Sequence, residues 1–468
     1  MPTLRFSFGL GAIALYGCAL SLQAAEFRVT TTADAHDGLC DTHCSLRDAV
    51  STANREPGAD VILLPAGRYE LSLLAEFGEP GIRYDEDANL NGDLDISDDL
   101  SIAGAGNAQT IISGIDPTQP PYRNDRLLEV LSGASLNLQR LGLENGRTAF
   151  TGAAAENHGL LRLQLVRVQG NHAATSNPNF REIVGEEGYR YGQGGGIANY
   201  GRLEVYSSDF LENRARGDLD DNLGRGGAIF NRGSLLVRDS NFLRNQASDE
   251  AERSVGSGIF NGGLADIARS AFVANSGSEG GRGFAIANDD NGELKLTNST
   301  LSGHVGTGGA LSNGYYSNPP ENDPKATLIN VTIAGNNGYG VQNSGQLLIR
   351  NSLIAGNLGF FGDEVTNCRN EGPRYRYQAI GLLLNSEPSD CTADLYLPYE
   401  QTFTHLLLPL ADNNGRTQTY ALRRGSLALD AGVGSCTSHD QRRLTRPRDG
   451  DGDGVAVCDL GAFERARP

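Results

Sequence analysis

The chain of 468 residues has no Trp, a single Met and, among 39 basic residues, only two lysines, Lys295 and Lys325. Any role that needs a basic side chain therefore falls mostly to Arg or His. A formal net charge of -18 leaves little clustered positive charge overall, which argues against nucleic acid and anionic membrane as partners. No run of residues reaches the roughly 20 apolar positions of a membrane-spanning helix. The shorter apolar run from Phe6 to Gly17 follows Arg5 and precedes the small residues before Glu26, which is the build of a secretory signal over residues 1–25. Cys18 in "LYGC" loosely fits a lipoprotein box, so a lipid-modified start is the alternative. Either way the chain is expected to be exported, to the periplasm, the cell surface or the medium.

Cysteine is scarce but patterned. With Cys18 set aside, six remain in three sequence-local pairs: Cys40 with Cys44, Cys368 with Cys391, and Cys436 with Cys458. An even count in an exported chain favours disulfides. The competing reading, a zinc site, lacks the CxxC pairs and partner His that zinc usually takes.

What the chain has in excess is glycine, 61 residues, and repetition. "GGGIANYGRLEVYSSDFLENRA" (194–215) is followed by "GGAIFNRGSLLVRDSNFLRNQA" (226–247) and "GSGIFNGGLADIARSAFVANSG" (256–277). Aligned on Asn157, Asn199, Asn231, Asn261 and Asn343, the copies carry a second Asn fourteen positions later, at Asn171, Asn213, Asn245, Asn275 and Asn357. Apolar pairs such as Leu161 and Leu163, Leu203 and Val205, or Leu235 and Val237 are spaced by two, as in a strand with one buried face. Val168, Phe210, Phe242, Phe272 and Ile354 mark a second strand, and Ala155, Ile197, Ile229, Ile259 and Val341 a third.

Three short strands per unit with Asn and Gly at the corners describe a coil of an all-β, right-handed single-stranded parallel β-helix, a pectin-lyase-like solenoid. Asn suits such corners because it tolerates left-handed backbone geometry, and stacked copies can form a side-chain ladder. Ser208, Ser240, Ser270 and Ser352 share a further corner position. His158, His172 and His304, at or beside corners, read as ladder members rather than acid–base catalysts. The shortest unit is 21 residues, so the longer ones carry loops on one edge: 174–193, 216–225 and 247–255, with a displaced insertion at 315–325. Such one-sided insertions are where solenoids build binding surfaces.

Both ends of a solenoid need covers. Ser45 with Asp48 is a capping-box pattern, and Leu46, Ala49, Val50 and Ala53 share a helical face, which predicts an N-terminal capping helix. The chain thus divides into a signal (1–25), a cap and first coil (26–75), coils (76–360) and a C-terminal capping or anchor-type module (361–468).

"CSLRDAV" at 44–50 resembles the CSLREA-type domain of bacterial secreted proteins, with Asp48 in place of Glu. The "GGAI" and "FLRN" or "FLEN" phrases resemble the repeats of polymorphic outer membrane proteins. The ending "LALDAGVGSC…DQRRLTRPRDGDGDGVAVCDLGAFE" is similar to the choice-of-anchor module that closes many bacterial β-helix surface proteins. These resemblances imply secretion or surface display and imply no reaction.

Calcium is the one cofactor the spacing suggests. Asp87, Asn89, Asn91, Asp93, Asp95 and Asp98 match a calcium loop around Gly92, although Leu94, Ile96, Leu100 and Ile102 read equally as two strands with an acidic corner. Asp449, Asp451 and Asp453 in "DGDGDG" supply the first half of a second such loop. Asp218, Asp220 and Asp221 with Arg225 are the carboxylates and Arg that a polysaccharide lyase, epimerase or glycosidase would need on the flank of the solenoid. Tyr189, Arg190, Tyr191, Tyr315 and Tyr316 lie on inserted loops, where Tyr can stack on sugar rings and Arg can pair with an acid. The expectation is a monomeric, adhesin-like protein that binds an extracellular glycan or cell-surface component without chemistry, with the polysaccharide-active enzyme as the alternative.

Overall fold

The computed structural model describes residues 24–73, 86–115, 125–148, 150–174, 192–217, 224–248, 255–277, 283–314, 323–359, 364–386 and 390–466. The chain winds as the expected right-handed parallel β-helix: each strand pairs in parallel with its counterpart one coil later, residue for residue. Leu161, Leu203, Leu235, Ala265 and Leu294 follow one another in register along the core side of the longest strands. Inside the cylinder Phe210, Phe242 and Phe272 stack with ring centroids 4.9 and 4.5 Å apart. That spacing is the distance between hydrogen-bonded strands, so equivalent side chains are forced into contact.

Four faces surround this core through coils 125–248. A long-strand face includes Leu160–Gln164, Arg202–Tyr206, Ser234–Arg238, Leu264–Ala268, Glu293–Thr297 and Lys325–Ile329. A second face follows, through Arg167–Gln169, Asp209–Leu211, Asn241–Leu243, Ala271–Val273 and Thr300–Ser302. Then comes a small four-stranded sheet of Arg147–Thr148, His172–Ala174, Arg214–Arg216 and Gln246–Ser248, which the repeat pattern did not announce. A ten-stranded face from Leu94–Ile96 to Cys368–Asn370 completes the circuit.

The corners hold two buried ladders. Asn157, Asn199, Asn231, Asn261, Asn288, Asn313 and Asn343 each donate Nδ2–H to the next Oδ1 at 2.6–2.8 Å, ending on Asn370. The second runs Asn171, Asn213, Asn245, Asn275, His304, Asn336, Asn357. The reason for Asn differs from the one expected. None of the ladder Asn has positive φ; in the second ladder the left-handed residue is the one before, as at Glu212, Arg244 and Ala274, and left-handed Asn stand instead at the other corner, Asn298, Asn330 and Asn351. Asn is there because its amide both donates and accepts, so identical side chains satisfy one another across coils.

At the N-terminus, helix Leu46–Ala53 forms with its capping box intact and buries Leu46, Ala49, Val50 and Ala53. The Arg47 side chain, fully buried, pairs with Asp34 at 2.8 Å and donates to the Gly92 and Asp93 carbonyls, tying helix to first coils. All three expected disulfides are present. The C-terminal module was expected to cover the end of the cylinder. Beyond the last parallel strand, Leu395–Leu397, it instead runs back along the second face. Arg416 reaches Asp209, Arg443 reaches Asp239, Gln441 accepts from Thr300, Tyr420 meets Ser302, and Thr332 accepts from Ala462. The outer residues of that face, Ala334, Leu353, Ala355 and Leu383, supply an apolar seat for Tyr420, Leu422, Leu429 and Leu460.

Candidate functional site

With the second face covered, the long-strand face is a flank left open among the described residues. Alternation along its strands sends every second side chain outward. From Leu160–Gln164 to Arg376–Asn385, the outward positions include seven cations, Arg162, Arg202, Arg238, Lys295, Lys325, Arg350 and Arg376, and three carboxylates, Glu204, Asp266 and Glu293. The chain as a whole carries 57 acidic against 39 basic residues, so this face reverses the overall balance. A groove of about 390 Å³ lies on it, lined by Arg202, Leu236, Leu264, Asp266, Lys295 and Lys325 among others. Both lysines of the chain are in it.

The charges in the groove differ in their commitments. Arg238 pairs with Asp266 at 3.1 Å and Lys325 with Glu293 at 2.9 Å. Glu204, almost inaccessible, holds Arg162 at 2.9 Å and Arg202 at 2.6 Å and accepts from the Tyr206 hydroxyl at 3.2 Å. Burial alone would raise the Glu204 carboxyl, but Arg162, Tyr206 and Arg202 hold it below the usual range. The Tyr206 phenol is pushed up by burial and by the neighbouring Glu204. Lys295 makes no ion pair among the described residues and is exposed, as is Leu264. A free ammonium beside exposed Leu264 and half-buried Leu236 offers a sugar both an ionic and an apolar contact. The repeat alignment could have found this site, since outward positions alternate with the recognised core pairs.

The expected calcium loop is only partly assembled. Asp95 falls on strand Leu94–Ile96, and Asn89 spends its amide on the Asp95 backbone, accepting at 2.8 Å and donating at 2.9 Å. Asp98 accepts from Asp99 at a corner, and Asn91 donates its backbone N–H to Glu86. Asp87 and Asp98 do not join the group; Asp93 and Asp95 do, with oxygens within 4.8 Å of those of Glu129 from the next coil. The physical reason is the strand: alternation turns Asp95 to the outside, where its neighbour is the residue one coil on, Glu129. In "DGDGDG", Asp449 and Asp451 converge with Asp430, which no motif or spacing singles out. Asp430 accepts from the Gly450 and Asp451 backbones at 3.0 and 2.8 Å, while Asp453 turns to cap Val455. Both groups present hard oxygen donors of the kind Ca²⁺ takes.

Beside the first acidic group, Arg126 is 4% exposed and sits among Glu129, Glu156 (3.0 Å) and Asp93 (3.8 Å). Burial disfavours its charge, yet the three carboxylates raise its pKa above the usual value. Glu156 also accepts from Thr151 at 2.6 Å and lies 3.0 Å from His158 Nε2. His158 is therefore outside the ladder, stacked on Tyr200 at 5.0 Å, and the column continues through Phe230 to Phe260. Arg225 lies over Phe260 at 5.2 Å rather than standing alone in a loop. His304 is a true ladder member; His172 faces outward from the small sheet. Asp218, Asp220, Asp221, Tyr189, Arg190, Tyr191, Tyr315 and Tyr316 lie outside the described residues, as do Cys18 and residues 1–23.

No family model matches this sequence, and no curated protein does. Among solved structures the chain is similar to the A-module of Azotobacter vinelandii mannuronan C-5 epimerase AlgE6, at 16% identity and a TM-score of 0.35, with 77% of this chain and 80% of that one covered. It is also similar to the A-module of the AlgE4 enzyme from the same organism, at 17% identity and a TM-score of 0.27, covering 75% and 93%.

Proposed function

We propose that this is an exported, surface-displayed protein that binds an acidic polysaccharide lengthwise along its long-strand face. One observation carries the reading: a protein of net charge -18 places seven cations against three carboxylates on its open flank, with both of its lysines in one groove. Repeated cations along a flat strand face suit a polymer with repeated carboxylates, and Leu236 and Leu264 supply the apolar patch a sugar ring needs. The resemblance to secreted β-helix proteins agrees with export. Calcium at Asp93, Asp95 and Glu129, or at Asp430, Asp449 and Asp451, would serve as a structural ion. Adding Ca²⁺ to the chelated protein should then raise its melting temperature, and an unchanged temperature would remove calcium from the account.

The test is calorimetric titration with polygalacturonate, polymannuronate and a neutral glucan at two salt concentrations. Binding of the acidic polymers alone, weakened by salt, is expected; equal binding to the neutral glucan would overturn the reading. A second reading, an enzyme acting on the polymer, draws support from the connected Thr151, Glu156 and His158 beside Tyr200, which offer acid–base groups. Absorbance at 235 nm and reducing ends, followed in the same samples, should stay flat if the protein only binds.

A further inference from the structure

Most arginines drawn into this molecule meet a carboxylate. Arg47 has Asp34, Arg126 has Glu129 and Glu156, Arg269 has Asp239, and Arg446 has Glu464. In the small four-stranded sheet, Arg147 and Arg214 depart from this among the described residues. Its register places Arg147, His172 and Arg214 one above the other on successive coils, with Arg216 two residues along the same strand. Arg147 Nη1 lies 2.9 Å from His172 Nδ1. A guanidinium can only donate, so Nδ1 is the acceptor and the imidazole proton sits on Nε2. That Nε2–H is buried without an acceptor, and so is the Arg147 Nε–H. Arg214 reaches the Ser248 hydroxyl at 3.4 Å through both Nε and Nη2, and no carboxylate pairs with Arg147 or Arg214 among the described residues.

Among the described residues Arg147, His172 and Arg214 thus bring together donors and positive charge with few acceptors to match. Burial and the three arginines Arg147, Arg214 and Arg216 hold the His172 imidazole down at about 3, so it is a neutral donor at ordinary pH. The Arg147 and Arg214 guanidiniums are both lowered by burial, the second also by Arg216. Half-buried like charges with unfilled donors are unfavourable unless something negative lies between them. Acids are not scarce in a chain with 57 of them, yet none of the described ones pairs with Arg147 or Arg214. The sheet stands on a different face from the lysine groove, and the segments that follow three of its four strands are the inserted loops.

We propose that Arg147, His172 and Arg214 form a binding site for an oxyanion, a carboxylate, sulfate or phosphate group carried by a sugar polymer or free in solution. The two guanidinium forks and the imidazole Nε2–H are complementary to three oxygens of such a group. The site does not depend on polysaccharide binding at the long-strand face, and either can hold without the other.

The experiment is thermal unfolding of the full chain in sodium sulfate, sodium phosphate and sodium chloride of equal ionic strength, then in polygalacturonate and in a sulfated glycan. A saturable rise of about 1–3 °C is expected with sulfate or phosphate and not with chloride, by preferential binding to the folded state. Stronger protection by the polymers would identify a sugar-borne group as the source, and protection by the inorganic ions alone a free anion; both support the site. Arg214→Gln should abolish the rise while leaving the unliganded melting temperature unchanged or higher. A merely structural arginine would instead lower it. In NMR, bound sulfate should move the His172 Cε1–H titration from about pH 3 upwards by at least one unit, since an anion favours the imidazolium.

Equal rises in the native protein and in Arg214→Gln would mean general salt exclusion and would overturn the proposal. So would a lowered melting temperature in Arg214→Gln that is matched by Asp220→Asn or Asp221→Asn, with no anion effect. The chain's own carboxylate would then be the occupant.

Discussion

Arg126 and Arg147 belong to one coil of the solenoid and both are withdrawn from water, yet their surroundings are opposite. Arg126 stands among Asp93, Glu129 and Glu156; Arg147 faces His172 and, across it, Arg214. Burial alone therefore says little about a cation's role. A guanidinium enclosed by carboxylates is part of the frame, whereas one enclosed by donors is waiting for a ligand. The two should respond to the same substitution in opposite directions. Arg126→Met leaves three carboxylates facing one another in a poorly hydrated site and should cost about 3–5 kcal/mol. Arg147→Met removes an unmatched charge and should be neutral or stabilising by up to about 1 kcal/mol. Urea unfolding of both variants decides it, and equal losses would break the comparison.

A gentler version of the contrast lies inside the second ladder, where His304 replaces Asn. The His304 Nδ1 is 3.1 Å from both the backbone N and O of Asn275, and the His304 backbone N–H donates to Asn336 Oδ1 at 3.1 Å. Complete burial is the main cause that takes its pKa down to about 4. The unfolded value is about 6.5, so the folded state binds fewer protons between the two. Its contribution is fully present above about pH 6.5 and is lost as the pH falls towards 4. The loss amounts to roughly 3 kcal/mol. His304→Asn keeps the ladder and does not titrate; its melting temperature should exceed that of the native protein at pH 4 and come close to it at pH 7.5. Two curves that stay parallel across that range would sink the idea.

The ladders show how far the sequence could be read. Asn at two fixed positions and apolar pairs spaced by two are periodic, and periodicity survives without knowledge of the neighbours. The core phenylalanines, the capping box at Ser45 and the three disulfides were legible for the same reason, each being a local pattern. Contacts made across faces were not. Nothing near Asp209 or Asp239 announces that Arg416 and Arg443, some two hundred residues later, will lie against them. The calcium spacing around Gly92 was real as a pattern, but strand alternation redirected Asp95 towards Glu129 on the next coil. The outward positions of the lysine groove follow from the alternation, but their residues are unlike one another from coil to coil, so no repeated phrase marks them. Only stacking turns Arg202, Asp266, Lys295 and Lys325 into a surface.

The smallest effect expected separates those two lysines. Lys325 is held by Glu293, and the carboxylate raises its pKa; Lys295 has no such partner among the described residues. A polymer carboxylate arriving at Lys325 must displace Glu293, so much of what it gains there is given back, whereas at Lys295 it meets an uncommitted charge. Lys295→Ala should weaken binding of an acidic polymer by about three- to tenfold, and Lys325→Ala by less than about twofold, in keeping with the modest worth of exposed ion pairs. Glu293→Gln frees Lys325 and should strengthen binding by a similar small factor. Titrations at low salt read all three, because added salt screens these contacts and compresses the differences. If Lys325→Ala is the more damaging, the Glu293 pair is a binding element in its own right, and the distinction between committed and free cations fails on this face.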